Sequence, residues 1–226
     1  TVTVNSSTVC AGASATVTAT PGSGAASDYT YAWTVPSGVT APGSISTFTT
    51  TTAGTYSVII TSKVGSCVSS IAIGHVTVNA LPTVTVNNAT VCAGTTATVT
   101  ATPGSGLASD YTYTWTVPGA APAPGNVSTF TTTTAGTYSV VIRNKVTNCV
   151  STSSSGTVSF NANPSLTSSL TITPKCSNAP INYTATSSAG TTFTWTRATV
   201  VGISPTGVSG SGAAIAETLI NTTLEP

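Results

Sequence analysis

The stretch STFTTTTAGTYSV occupies residues 46–58 and recurs unchanged at 128–140. The offset of 82 holds well beyond it. Residues 1–82 align with 83–164 without a gap, and 57 of the 82 positions are identical. Cys10 falls on Cys92, Asp28 on Asp110, Trp33 on Trp115, Phe48 on Phe130, Tyr56 on Tyr138, Lys63 on Lys145 and Cys67 on Cys149. A fixed period of this kind marks a chain of similar modules, each keeping what its own core needs. Within the module the hydrophobic period is two. In YTYAWTV (29–35), Tyr29, Tyr31, Trp33 and Val35 face one way, and Thr30, Ala32 and Thr34 the other. ATVTAT (15–20) and TYSVII (55–60) alternate similarly, and clusters such as PGSG (21–24) and PSG (36–38) separate the runs. About 82 residues then hold six or seven short strands, which predicts a two-sheet sandwich with Trp33 and Trp115 in its core. Tyr56 and Tyr138 each follow Ala-Gly-Thr at the start of a late strand. That is the setting of a tyrosine corner, whose hydroxyl ties a loop to the sandwich. The quoted stretch reads as strand, turn and corner strand, and it recurs because each module needs that corner.

Composition agrees with this class. Only 4% of the chain is charged and the net charge is +1. Thr makes up more than a fifth of the residues, and β-branched side chains suit a pleated, half-buried surface. Five basic residues form no patch for nucleic acid. No apolar run reaches the roughly 20 residues of a spanning helix, so no membrane insertion is expected of this segment. The start, Thr1-Val2-Thr3-Val4, alternates like a strand, and the chain reads as an internal fragment of a longer protein.

The third segment, from Ser165, is more distant but begins in frame. Thr184-Ala185-Thr186 follows Cys176 at the spacing at which Thr18-Ala19-Thr20 follows Cys10, and FTW (193–195) answers YAW (31–33). Trp195 is thereby a third core tryptophan. Across these segments, VCAG, TYTWTVP, STFTTTTAGTYSVVI and NCVS, together with SLTSSLTITPKCSNAPINYTATSSAGTTFTWTRATVVGIS, carry a resemblance. The chain resembles the Ig-like and PKD-like repeats of giant cell-surface adhesins of Bacteroidota. The resemblance implies export to the cell surface, typically by the type IX system, in adhesins that include those of gliding motility. It divides the chain into an Ig-like repeat over 1–82, a second over 83–164, and a PKD-like module over 165–226 that stops short of its last strand. Such a module leaves an open edge, which predicts either truncation or completion by a strand from elsewhere.

Five cysteines without metal-ligand spacing, and a single His, suggest an oxidising compartment rather than zinc. Two fall in each full repeat, 57 positions apart, which predicts the pairs Cys10–Cys67 and Cys92–Cys149 tying one end of each sandwich. Cys176 has no counterpart at that spacing; it either pairs beyond the segment or serves as a small buried hydrophobe.

Nothing points to catalysis, a cofactor or a metal. The acids are Asp28, Asp110, Glu217 and Glu225, and the first two are one position in two modules. His75 becomes Thr157 in the second copy. One Asp per module cannot supply the several carboxylates that Ca²⁺ usually collects. The alternative to a structural role is glycan binding through Tyr29 and Tyr111 at the mouth of the aromatic strand. Against it, the loops differ between the copies while the core is kept. Ser37-Gly38-Val39-Thr40 becomes Gly119-Ala120-Ala121-Pro122, and Ile71-Ala72-Ile73 becomes Ser153-Ser154-Ser155. The joints, Ala80-Leu81-Pro82 and Ala162-Asn163-Pro164, are too short and proline-capped to act as loose tethers. The sequence therefore predicts an all-β rod of sandwiches set end to end, a stalk whose partners are neighbouring modules of one long chain. Surface polysaccharide or other cells are the partners of the adhesive alternative, and a self-assembling filament is a third.

Overall fold

A computed structural model describes residues 1–119, 121–188 and 190–223, so Glu225 lies outside the described residues. The first module runs through β1 (Val2–Val4), β2 (Ser7–Cys10), β3 (Ala15–Pro21), β4 (Tyr29–Thr34), β5 (Thr47–Thr50), β6 (Gly54–Ser62) and β7 (Ala72–Asn79). One sheet has the order β1-β3-β5 and the other β2-β7-β6-β4. The alternation places the core between them. On β3, Ala15, Val17 and Ala19 are buried and the threonines between them face outward. On β6, Tyr56, Val58 and Ile60 are buried opposite them. Trp33 is half-buried, packs edge-on against Phe48 at 5.0 Å between ring centres, and donates its indole N–H to the Ile45 carbonyl at 2.8 Å.

The repeated stretch is β5, a turn and the start of β6. Tyr56 is fully buried, and its hydroxyl donates to the Thr52 carbonyl at 2.9 Å while bonding the Thr50 hydroxyl at 2.9 Å. Burying a phenol this completely is tolerable because its polar tip is satisfied within the same turn. Gly54 opens the strand at φ +146°, where a Cβ would run into the Pro36 ring. Sequence and geometry agree here because the Tyr56 hydroxyl finds both of its partners within six residues.

The first strand divides in two. After Val4 the chain leaves one sheet and at Ser7 joins the other, where β2 pairs with β7 in parallel. Asn5 spans the change: its amide donates to the Thr16 carbonyl at 3.0 Å and its side-chain oxygen accepts from the Thr18 N–H at 2.7 Å. The side chain thus replaces ladder bonds that the backbone gives up as it crosses. Gly74 on β7 lies under the crossing, where a Cβ would strike the Asn5 carbonyl.

The second module repeats this with β8 (Val84–Val86), β9 (Ala89–Cys92), β10 (Ala97–Pro103), β11 (Tyr111–Thr116), β12 (Thr129–Thr132), β13 (Gly136–Asn144) and β14 (Ser154–Asn161). The sheets are β8-β10-β12 and β9-β14-β13-β11. Tyr138 is fully buried and bonds Thr132 and Thr134 as Tyr56 bonds Thr50 and Thr52. Trp115 is half-buried and donates to the Val127 carbonyl at 2.8 Å. Asn87 and Gly156 rebuild the crossing.

Residues 1–160 form one compact unit, and a second begins at Asn161. The second carries β15 (Pro180–Thr184), β16 (Thr194–Arg197), β17 (Ile203–Ser204), β18 (Val208–Ser211), β19 (Ala214–Thr218) and β20 (Ile220–Asn221). They pair as three separate two-stranded ladders, β15-β19, β16-β18 and β17-β20. Among its described residues none is fully buried. Trp195 is half-buried, and neither its indole N–H nor one terminal nitrogen of Arg197 has a partner among the described residues, although the Arg197 Nε reaches Glu217 at 2.8 Å. Among the described residues no helix is long and apolar enough to cross a membrane.

Candidate functional site

Each sandwich has a head, where the chain comes in, and a tail, where it leaves. The head of the first module gathers the PGSG loop, a 3-10 turn over Ala26–Asp28 and the loop between β6 and β7. Asp28 caps the 3-10 turn by accepting the Ala25 N–H at 2.8 Å, and the Lys63 ammonium donates to the Ser27 carbonyl at 2.7 Å. Asp110 and Lys145 do the same in the second copy. The module's acid and base are therefore structural at this end. His75 sits on the outer face of β7 against the Thr55 hydroxyl at 3.2 Å. No group of three His, Cys, Asp or Glu among the described residues is placed to hold a metal ion.

Cys67 belongs to the head. Its carbonyl accepts from the Ser62 N–H at 2.9 Å, just beyond the end of β6. Cys10 belongs to the tail: it ends β2 opposite Asn79, the last residue of β7. Because β7 runs from Ala72 at the head to Asn79 at the tail, roughly 23 Å of strand separates the two levels. A disulfide needs Cα atoms within about 7 Å. The pairs Cys10–Cys67 and Cys92–Cys149 within modules are therefore not formed. Cys10 bonds instead to Cys149, with Cα atoms 5.5 Å apart and 139 positions between them in sequence. The tail of the first module is stapled to the head of the second. Cys67, Cys92 and Cys176 carry free, exposed thiols, so Cys176 is not a buried hydrophobe.

The joint thus has two covalent connections side by side. One is the main chain from Asn79, which ends β7, to Val84, which starts β8. The other is the Cys10–Cys149 bridge, anchored where the Ala11 N–H holds the Asn79 carbonyl at 2.8 Å. A single short linker still allows bending and twisting, whereas a second tether beside it restrains both.

The tail cysteines share a turn. The Cys10, Cys92 and Cys176 carbonyls each accept from the N–H three residues on, of Ala13, Thr95 and Ala179. Cys67 and Cys149 share the head loop, each following a residue in left-handed conformation, Ser66 at φ 53° and Asn148 at φ 58°. The five cysteines are thus of two kinds, three at tails and two at heads.

The aromatic strand mouth lies at the head. Tyr29 is half-buried and its hydroxyl donates to the Ser23 carbonyl at 2.8 Å. Tyr111 is only 5% exposed and donates to Ser105 at 2.9 Å, so it offers no ring face to a sugar. Each phenol closes the PGSG loop of its own module, 21–24 or 103–106. Ile71 and Ile73 are more than half exposed on the first module.

No protein family profile and no curated protein matches the chain. Among solved structures it is similar to Sidekick-1 immunoglobulin domains 1–5, with a TM-score of 0.33 and 11% identity over 96% of this chain and 58% of that one. It is also similar to a marsupial T cell receptor, with a TM-score of 0.44, 12% identity, 96% of this chain and 93% of that one. The N-terminal eight Ig domains of Down Syndrome Cell Adhesion Molecule give 0.29 and 12%, over 96% of this chain and 36% of that one. The chain spans less than two thirds of the length of the Sidekick-1 structure. At these scores and identities the likeness says nothing of partner or role.

Proposed function

We propose that this chain is a stalk segment of a large bacterial cell-surface adhesin, a run of spacer modules that gives reach and stiffness to a binding part located elsewhere. The observation that carries the reading is the joint: two sandwiches held by linker and disulfide in parallel resist the bending that a spacer must resist. The copies keep core and corner and vary the loops at 37–40 and 71–73, the pattern of a structural repeat rather than a duplicated binding site. A formed disulfide suits an oxidising, extracellular setting. The resemblance to repeats of Bacteroidota adhesins supports outer-membrane attachment, type IX export, and a part in gliding motility or surface attachment. The module division at 82 and 164, with a PKD-like third module from Ser165, belongs to the same proposal. The partners of this segment are then the neighbouring modules of its own chain.

The adhesive alternative is tested by binding. The oxidised 226-residue chain is applied to a glycan array and to whole cells, with Tyr29→Ala as control. A stalk gives no signal above background. Specific binding lost in Tyr29→Ala would refute the stalk and make the open head of the first module a contact site.

A further inference from the structure

The head of the first module and the head of the second are built alike but buried differently. Their loops share a backbone. The Lys63 and Lys145 N–H groups reach the Asp28 and Asp110 carbonyls at 2.9 Å, and Thr61–Val68 and Arg143–Val150 form the same isolated bridge. Ser66 and Asn148 turn the chain identically into the cysteine. Yet Cys149 is fully buried and Cys67 exposed, Tyr111 is buried and Tyr29 half-buried, and Val84 and Ser151 are buried where Val2 and Ser69 are half-buried. All four pairs are the same residue type in both copies. What differs is that the second head bears the stapled tail of the first module, whereas no tail among the described residues lies on the first head.

We propose that Cys67 is the head half of a second staple, closed by the tail cysteine of another module of this same repeat docked in line on the head of the first module. The Cys10–Cys149 joint is its template. The thiol to be joined stands on the same loop, in the same conformation, beside the same residues that the template buries. The joining sequence is available as well, because Thr1-Val2-Thr3-Val4-Asn5 repeats as Thr83-Val84-Thr85-Val86-Asn87 directly after Pro82. A module ending as the first one ends therefore meets this head through a junction of identical sequence. The occupant is a tail, because a tail presents its cysteine at the end of the β2-type strand, whereas a second head would bring its cysteine in on a loop of different reach. The bond forms by thiol–disulfide exchange with a low-molecular-weight disulfide such as oxidised glutathione. One cysteine thiolate attacks it, giving a mixed disulfide and one glutathione thiol. The second cysteine thiolate then attacks the mixed disulfide and releases the other glutathione thiol. Two protein thiols are oxidised, one glutathione disulfide is reduced, and the two protons end on the glutathione.

The test extends the full chain with an extra copy of residues 1–82 fused directly before Thr1, oxidised in a glutathione buffer, alkylated and mapped by non-reducing mass spectrometry. The expected map has two cross-links, Cys10 of the added copy with Cys67 and Cys10 with Cys149. The added copy's own Cys67, with Cys92 and Cys176, is expected to be alkylated. The Cys10–Cys149 link reports in the same sample that the modules have folded. In a Cys67→Ser version of the extended chain, the added Cys10 is expected to be alkylated. Cys67 found alkylated while Cys10–Cys149 is formed overturns the proposal, as does a link between the added Cys10 and the added Cys67. Absence of Cys10–Cys149 overturns it too, since the template is then gone. Retention of Cys10–Cys149 without the new link would leave the stalk reading standing and remove only its continuation.

Discussion

Replacing Cys10 by Ser removes the staple and leaves every strand in place. Cys10 ends β2 at the half-exposed tail, and a serine there meets no packing obstacle. The cost lies in the unfolded chain. Opening a loop of 138 residues, the number enclosed by a separation of 139, releases about 5 kcal/mol of loop-closure entropy in the chain-entropy model. Spread over the 160-residue unit, with an unfolding entropy of about 2.1 cal/mol/K per residue, this lowers the Tm by roughly 15 °C. The shape of the melt changes as well, because modules joined only by a linker unfold separately. The assay is thermal unfolding followed by tryptophan emission from Trp33 and Trp115, with Cys67→Ser and Cys92→Ser as controls. Both control thiols are free and exposed, so neither change should move the Tm by more than about 1 °C. A Tm for Cys10→Ser within about 2 °C of the parent, or an equal loss in Cys67→Ser, would refute the stapled joint.

Other expectations follow from the same geometry. Tyr138→Phe removes the hydroxyl that joins Thr132 and Thr134 and leaves the buried Thr132 hydroxyl poorly satisfied, costing about 1–3 kcal/mol in urea unfolding. Gly156→Ala brings a methyl against the Asn87 carbonyl where the first strand crosses between sheets, and should cost about 3 kcal/mol by the same assay. Burial, reinforced by nearby tyrosine and aspartate charge, raises the pKa of Tyr31 and Tyr113, and at Tyr31 it outweighs an opposing hydrogen bond from Ser46. The folded state then keeps phenol protons that the unfolded state loses. Stability from this source is intact below the ordinary tyrosine pKa and falls as pH rises through the folded value. Absorbance titration of phenolate should show two late tyrosines, and their absence would contradict the burial. Amides of β15 to β20 should exchange with solvent faster than those of β3, β6, β10 and β13, since none of the described residues of the second unit is fully buried.

The alternating strands, the tyrosine corner and the core tryptophans of the two repeats were legible because each is decided within one module by residues close in sequence. The joint was not. A sequence that repeats with strict period allows Cys10 to pair with Cys67 or with Cys149 equally well, since both choices repeat every 82 residues. What separates them is the direction of β2. That strand is four residues long and parallel to β7 because the chain changes sheets at Asn5. The signal present in the sequence was the repeated TVTVN with its asparagine. Reading it requires knowing that an Asn side chain can replace ladder bonds at a crossing. Tyr111 misleads for a related reason: as part of a repeat it looks like Tyr29, while the joint makes its surroundings different.

The central claim, a joint stapled for mechanical persistence, is tested most directly by pulling the chain from its two ends in a single-molecule force instrument. Tension passing from Thr1 to Cys10 crosses the bridge to Cys149, so the 138 residues enclosed between them carry no load along the backbone. In the oxidised chain that segment, about 480 Å of contour at full extension, stays locked. After reduction, or in Cys10→Ser, the same pull should release that length in module-sized steps. Release of the full length from the oxidised chain, with no difference on reduction, would contradict the account.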